Sequence, residues 1–361
     1  MSSKITRRTF IGVLGLSGLT IATACSTGAP SGTPSGPPSA STPSTKQDGV
    51  PTLVLVTDTG TIQDQSFNEL AWAGMSSLHA RHGWNVSYID SLENPEYEPR
   101  LDEAVASGAD LVWGMGFSMQ DAIEEAARKY PDTKFAIIDA AYEDAPPNLT
   151  GIVFHQEQCS FLVGYIAARM TKVGKVGFIG GIDSTSMQEF EQGYYAGIEY
   201  ANKEQGLNVT YVGEWADSFT DSNLGYTMAQ AMAQDGCDVI YHASGAVGLG
   251  VIKACSEVGV WVIGVDQDQS YLAPETVISS AVKRVDQAIE TVSEQIINGE
   301  LTGGTNVTLG VAEGGVGAAT THDLLPDALY NDMLDLTEKV KAGEITVPKN
   351  ADELEDFIAS L

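Results

Sequence analysis

A chain of 361 residues, 43% of them hydrophobic and 19% charged, exceeds one ordinary hydrophobic core and points to two lobes. Its formal net charge of -29 excludes the basic face that phosphate binding needs, so nucleic acid is not an expected partner. The four cysteines, Cys25, Cys159, Cys237 and Cys255, form no CxxC pair, which argues against zinc; with Cys25 modified the remaining three, an odd number, argue against a complete disulfide framework but leave one bridge, Cys237 with Cys255, open.

Taken in order, residues 1–25 have the composition of an export signal. Lys4, Arg7 and Arg8 make a charged start, and the apolar, small-residue run after them is too short to span a bilayer. Arg7-Arg8 followed by Phe10 has the form of a twin-arginine signal, and Ala22-Thr23-Ala24-Cys25 that of a lipobox, with Cys25 the expected site of lipidation. Residues 26–48 are Ser, Thr, Pro, Gly and Ala with almost nothing to bury, so a disordered tether is expected there. Together these segments predict a protein anchored by lipid to the extracytoplasmic face of the cell membrane.

From residue 51 the pattern alternates strand and helix. Leu53-Val-Leu-Val is an apolar run that stops at Asp58 and Gly60, as a buried parallel strand stops at its carboxyl end. A helix face begins after Ser66, with Phe67, Leu70, Ala71, Gly74 and Leu78 three or four apart, Ser66 as N-cap and Glu69 at capping-box spacing. Strands are predicted over 84–89, 110–113 and 134–138, with helices around 101–106 and 119–130. A second round comes next: helices over 158–170, 190–205, 223–235 and 248–258, and strands over 175–179, 208–212, 239–242 and 261–265. Residues 277–283 read as a hinge strand, 286–298 as a helix and 306–311 as a strand that recrosses between lobes, with short helices over 334–342 and 351–361. This alternation predicts two doubly wound parallel-sheet lobes. Residues 49–155, completed by about 284–310, form the first, and 156–283, completed by about 311–361, the second.

In open α/β sheets, ligands sit outside the carboxyl ends of the strands. The positions that fall there are Asp58, Phe67, Asn68, Asp139, Trp215, Gly245, Asp266 and Lys283. An aromatic pair such as Phe67 and Trp215 would sandwich a flat heterocycle, with Phe190 a competing aromatic, and carboxylates would accept hydrogen bonds from hydroxyl and ring N–H groups. Taken singly, Asp58 and Asp64 would also serve as turn caps, and His242 as a hydrogen-bonded, partly buried histidine. No GxxxxGK[ST] occurs, so no nucleotide cofactor is expected; Asp266-x-Asp268 lacks the glycine that turns a calcium loop, so no metal is expected; and no Gly-x-Ser-x-Gly or His-Glu-x-x-His marks a catalytic residue, which by itself does not exclude an enzyme.

Val56 to Asn68, Val-Thr-Asp-Thr-Gly-Thr-Ile-Gln-Asp-Gln-Ser-Phe-Asn, resembles the opening motif of the basic membrane protein family, the PnrA-like purine nucleoside receptors. Gly174-Lys-Val-Gly-Phe-Ile-Gly-Gly181, Gly264-Val-Asp-Gln-Asp-Gln269 and the run from Ser280 to Asp286 resemble further blocks of it. The resemblance covers about 51–320 and implies a bilobal periplasmic-binding-protein type I fold that closes on its ligand. It implies Phe67 and Trp215 for stacking, Asp139 and Asn68 for the base, and Asp266 and Lys283 for the ribose, with Asp58 at either end. Where the family has phenylalanine, Trp215 is a departure. The implied protein is a monomeric substrate-binding lipoprotein, not an enzyme. It would deliver purine nucleosides to the permease and ATPase subunits of an ABC importer. A sugar or furanose signal, or an exported nucleoside-processing activity, is the alternative.

Overall fold

Two six-stranded sheets, each covered by helices on both faces, account for the long apolar runs. The structure, a computed structural model, describes residues 49–91 and 96–361. The signal, Cys25 and the tether expected over 26–48 lie outside the described residues.

The first half runs β1 (Thr52–Thr59), α1 (Phe67–His82), β2 (Asn85–Ser91), α2 (Tyr97–Ala106), β3 (Leu111–Met115), α3 (Gln120–Lys129), β4 (Lys134–Ile138) and β5 (Leu149–Phe154). The second runs α4 (Gln156–Met170), β6 (Lys175–Gly180), α5 (Thr185–Gln205), β7 (Thr210–Trp215), α6 (Ser222–Gln234), β8 (Val239–Ala243), α7 (Val247–Val258), β9 (Trp261–Asp266) and β10 (Val277–Lys283). Then come α8 (Val285–Asn298), β11 (Thr305–Leu309), β12 (Val316–Ala318), α9 (Asp327–Lys341) and α10 (Ala351–Ser360).

The strand orders are β2-β1-β3-β4-β5-β11 and β7-β6-β8-β9-β10-β12. All pairs are parallel except β10 with β12. Both sheets therefore reverse their winding at the same place, between the first and third strands, and a crevice opens there beyond the carboxyl ends. In β1, Leu53 and Leu55 join one apolar cluster with α1 and α8, while Val54 and Val56 join another with α2 and α3. Helix α8 completes the first lobe: Ser293 accepts a hydrogen bond from the Trp113 indole at 2.9 Å. The chain passes between sheets three times: from Phe154 to Gln156, from Lys283 to Val285, and through residues 310–315 between β11 and β12.

Some elements differ from expectation. Strand β5 is not among the expected strands, because Thr150 and Gly151 interrupt its apolar run just after Pro146-Pro147. Strand β12 is three residues, too short for any periodicity. Helix α9 starts at Asp327, directly after Pro326, and not at residue 334; Leu329, Met333, Leu336 and Val340 form its buried stripe. Strand β11 pairs within the first sheet, so the crossing to the second lobe comes after the strand and is not made by it. Cys159, Cys237 and Cys255 are buried free thiols, so the Cys237–Cys255 bridge is not formed. Among the described residues no helix is long and apolar enough to cross a membrane.

Candidate functional site

Between the carboxyl edges of the two sheets lies a cavity of about 260 Å³. That is just below the usual range for ligand pockets, the size of one small molecule. Asp58 lines it from the end of β1, Phe67 and Asn68 from the first turn of α1, Gly116 and Phe117 from beyond the end of β3, and Asp139 from the end of β4. The second lobe contributes Met187 and Phe190 from α5, Phe219, Ser244 and Gly245 from loops after β7 and β8, Asp266 from β9 and Lys283 from β10. Seven of the eight residues expected at the site are thus brought together.

The connection after β1 is held by its own side chains. The Asp64 carboxylate accepts from the backbone N–H of Ser66 (3.0 Å), Asn68 (2.9 Å) and Glu69 (3.0 Å), so it fills the capping role at the start of α1. Ser66 occupies the N-cap position but makes no side-chain cap bond. Its hydroxyl instead donates across the cleft to the Asp266 carboxylate. That corrects the expected capping box: Asp64 satisfies the helix N-terminus and frees Ser66 to join the lobes. Asn68 donates from Nδ2 to Asp58 Oδ1 at 2.9 Å.

Two strand-end aspartates, Asp139 and Asp266, adopt left-handed backbone angles, φ 67° and 64°. Such conformations are uncommon outside glycine and cluster where a side chain must be aimed. Both residues line the cavity. The Oδ1 atoms of Asp139 and Asn68 are buried without a hydrogen-bond partner in the protein, two acceptors that a ligand donor would satisfy.

Removal from water dominates the electrostatics. Burial pushes Asp58 up to about 7, with the Asn68 bond opposing and the neighbouring charges of Asp64 and Asp139 adding to it. Asp58 is half-buried and lines the cavity. Burial also raises Asp266, to about 6, against the pull of Lys283 and the Ser66 bond. Lys283, 2% exposed, places its Nζ 2.6 Å from Asp139 Oδ2, an ion pair joining the two lobes. The same ammonium lies over the rings of Phe67, Phe154 and Phe190, 5.2, 5.1 and 5.6 Å from their centres. The carboxylates of Asp58, Asp139 and Asp266, with Asp64 beside them, and one caged ammonium therefore face a space walled by phenylalanine rings. Among the described residues no group of three or more His, Cys, Asp or Glu side chains could hold a metal ion.

Trp215 is the residue that does not join the set. It sits opposite Gly180 in the β6–β7 ladder, and its indole folds back over that glycine, where a Cβ would come within 2.3 Å of the ring. The ring meets Phe178 edge-on, 5.7 Å between centres, inside the second lobe. The second-lobe rings that do line the cavity are Phe190 and Phe219. Phe190 is recognisable in the sequence as a competitor. Phe219 is not, because it lies in a loop beyond the strand end that only the fold turns inward. His242 is fully buried, not partly, with Nε2 3.1 Å from Gln269 Oε1, and burial lowers it to about 4.

Residues 52–351 match the family model described as ABC transporter substrate-binding protein PnrA-like. Basic membrane protein A of Borreliella burgdorferi is 36% identical over 314 residues, covering 86% of this chain and 91% of that protein. A CD4+ T-cell-stimulating antigen of Listeria monocytogenes is 33% identical over 321 residues, 82% and 88% of the two chains. Among solved structures, an ABC transporter solute-binding protein of Aeropyrum pernix superposes with a TM-score of 0.76 at 28% identity, covering 86% of this chain and 97% of that one. The two-sheet architecture, the cleft at the strand ends and these matches lead to one conclusion: the chain belongs to the PnrA-like family of ABC transporter substrate-binding proteins.

Proposed function

We propose that this substrate-binding protein takes a purine nucleoside into the cleft and delivers it to a membrane permease driven by ATPase subunits. The observation that carries the reading is the cavity wall. Phenylalanine rings from both lobes, Phe67, Phe190 and Phe219, share it with Asp58, Asp139, Asp266 and Lys283. Rings stack on a flat base at roughly 1 to 3 kcal/mol each, and carboxylates accept from ribose hydroxyls and ring N–H groups. The unpartnered acceptors on Asp139 and Asn68 favour a ligand edge that donates.

Asp139 and Asn68 are assigned to the base, Asp266 and Lys283 to the ribose, and Asp58 and Gly245 to positioning either part. The protein acts by binding, without making or breaking a bond, and works as a monomer. Cys25 carries the lipid, and residues 26–48 form the tether to the extracytoplasmic membrane face.

Thermal melting of the chain from Ser26 onward, with adenosine, guanosine and inosine against a panel of sugars, tests the ligand class. A ligand at 100 times its Kd adds about 2.7 kcal/mol of stability. The nucleosides are expected to raise the melting temperature and the sugars to leave it unchanged; the reverse pattern overturns the reading. Free base released from inosine during incubation would instead reveal an enzyme. Cys25→Ala is expected to move the protein from the membrane fraction to the soluble one.

A further inference from the structure

Gln269 is wholly buried in the second lobe, yet its side chain ends on the first. Its Oε1 accepts from the Val265 backbone N–H at 3.0 Å and lies 3.1 Å from His242 Nε2. Its Nε2 donates to the backbone carbonyl of Gln65 at 2.9 Å. The orientation of the amide is fixed from both ends, since a backbone N–H only donates and a backbone carbonyl only accepts. His242 completes the arrangement: burial keeps the ring neutral, so one nitrogen carries the proton given to Oε1 and the other faces Ser244 Oγ at 3.5 Å. The Gln269 backbone is held as well, its N–H donating to Ser280 Oγ at 3.1 Å.

At the far end, Gln65 has a left-handed backbone, φ 51°, unusual for a residue other than glycine. It directly precedes Ser66, Phe67 and Asn68, the segment that carries one ring and one acceptor of the cavity wall.

We propose that Gln269 is a positioning residue that clasps the closed cleft: its amide ties the second-lobe sheet to the Gln65 carbonyl, sets the 65–68 segment against the ligand and slows ligand release. The clasp rests on the cleft being the ligand site, but not on which ligand fills it. It does not touch the ligand. Opening the lobes frees the Gln65 carbonyl to water and leaves the rest of the Gln269 network intact, so the bond acts on the open–closed equilibrium more than on folding.

The test is Gln269→Glu. Read at alkaline pH, where the buried carboxyl is ionised, it keeps an acceptor for Val265 N–H and His242 but loses the donor toward Gln65, setting oxygen against oxygen. Two readouts are taken on the full chain. Stopped-flow binding of adenosine and inosine is expected to show release about threefold to tenfold faster, with association changed less than about twofold. Spin labels on cysteines placed at exposed Glu98 and Asn223, one per lobe, are expected to show longer distances in ligand-free Gln269→Glu than in the parent. Equal release rates and equal distances overturn the clasp, as does a loss confined to association. If neither nucleoside binds the parent, the proposed ligand fails while the spin-label distances still decide the clasp. Should Gln269→Glu not fold, Gln269→Met, of similar length without polar atoms, is read by the same two measurements.

Discussion

Phe219 and Trp215 show how far a single side chain's role depends on its opposite neighbour. Both are aromatic and both belong to the end of the same strand and its loop, but Trp215 is matched with Gly180 and its indole fills the space that a side chain there would take. Phe219→Ala is therefore expected to weaken nucleoside binding by about 1 to 3 kcal/mol. Trp215→Ala should leave the affinity near that of the parent while lowering the melting temperature, because it removes a ring packed on Phe178. Isothermal titration alongside melting separates the two; equal losses of affinity would place Trp215 back at the ligand. Asp58 supplies a prediction in pH. Its folded value is raised to about 7 from 3.8, so its contribution to stability is fully present below about 4 and is lost as pH rises through 7. Asp266, raised to about 6, acts in the same direction over a slightly lower window. The melting temperature of the ligand-free protein should fall across that interval, and less steeply in Asp58→Asn. An unchanged slope would mean that Asp58 is not held out of water.

Helices α1, α4 and α5 set the geometry that the site inherits. The start of α1 is fixed by Asp64, whose carboxylate accepts three backbone N–H groups, so Asp64→Ala is expected to cost about 1 to 2 kcal/mol in denaturant unfolding. It should also loosen the segment that carries Phe67 and Asn68, lowering ligand affinity. Helices α4 and α5 touch backbone to backbone: a Cβ on Gly197 would come within 2.1 Å of the Phe161 carbonyl. Gly197→Ala must push them apart, with an expected loss of about 1 to 3 kcal/mol. Since α5 carries Met187 and Phe190 into the cavity, the same change should weaken binding, and a variant as stable as the parent would refute the close contact.

At the scale of the molecule, three passages of chain join two lobes, and side chains do the rest of the fastening. Ser66 with Asp266, Asp139 with Lys283, and Gln269 with the Gln65 carbonyl all cross the cleft. Saturating nucleoside is accordingly expected to shrink the radius of gyration seen by small-angle scattering, and Lys283→Met to reduce that change. Melting should be indifferent to reductant, because the three described cysteines are free. The alternation of strand and helix, the two-lobed plan and the place at the cavity of seven of the eight expected residues were legible in the chain. Each depends on local rules: an apolar run stops where its strand leaves the sheet, and the residues just beyond that point must lie at the carboxyl edge. Strand β12, the release of Ser66 from the cap of α1 to reach Asp266, the retreat of Trp215 and the entry of Phe219 were not legible. They depend on which atoms face one another across a ladder or a cleft, and residues 200 positions apart, such as Ser66 and Asp266, acquire a shared role only when packing brings them together.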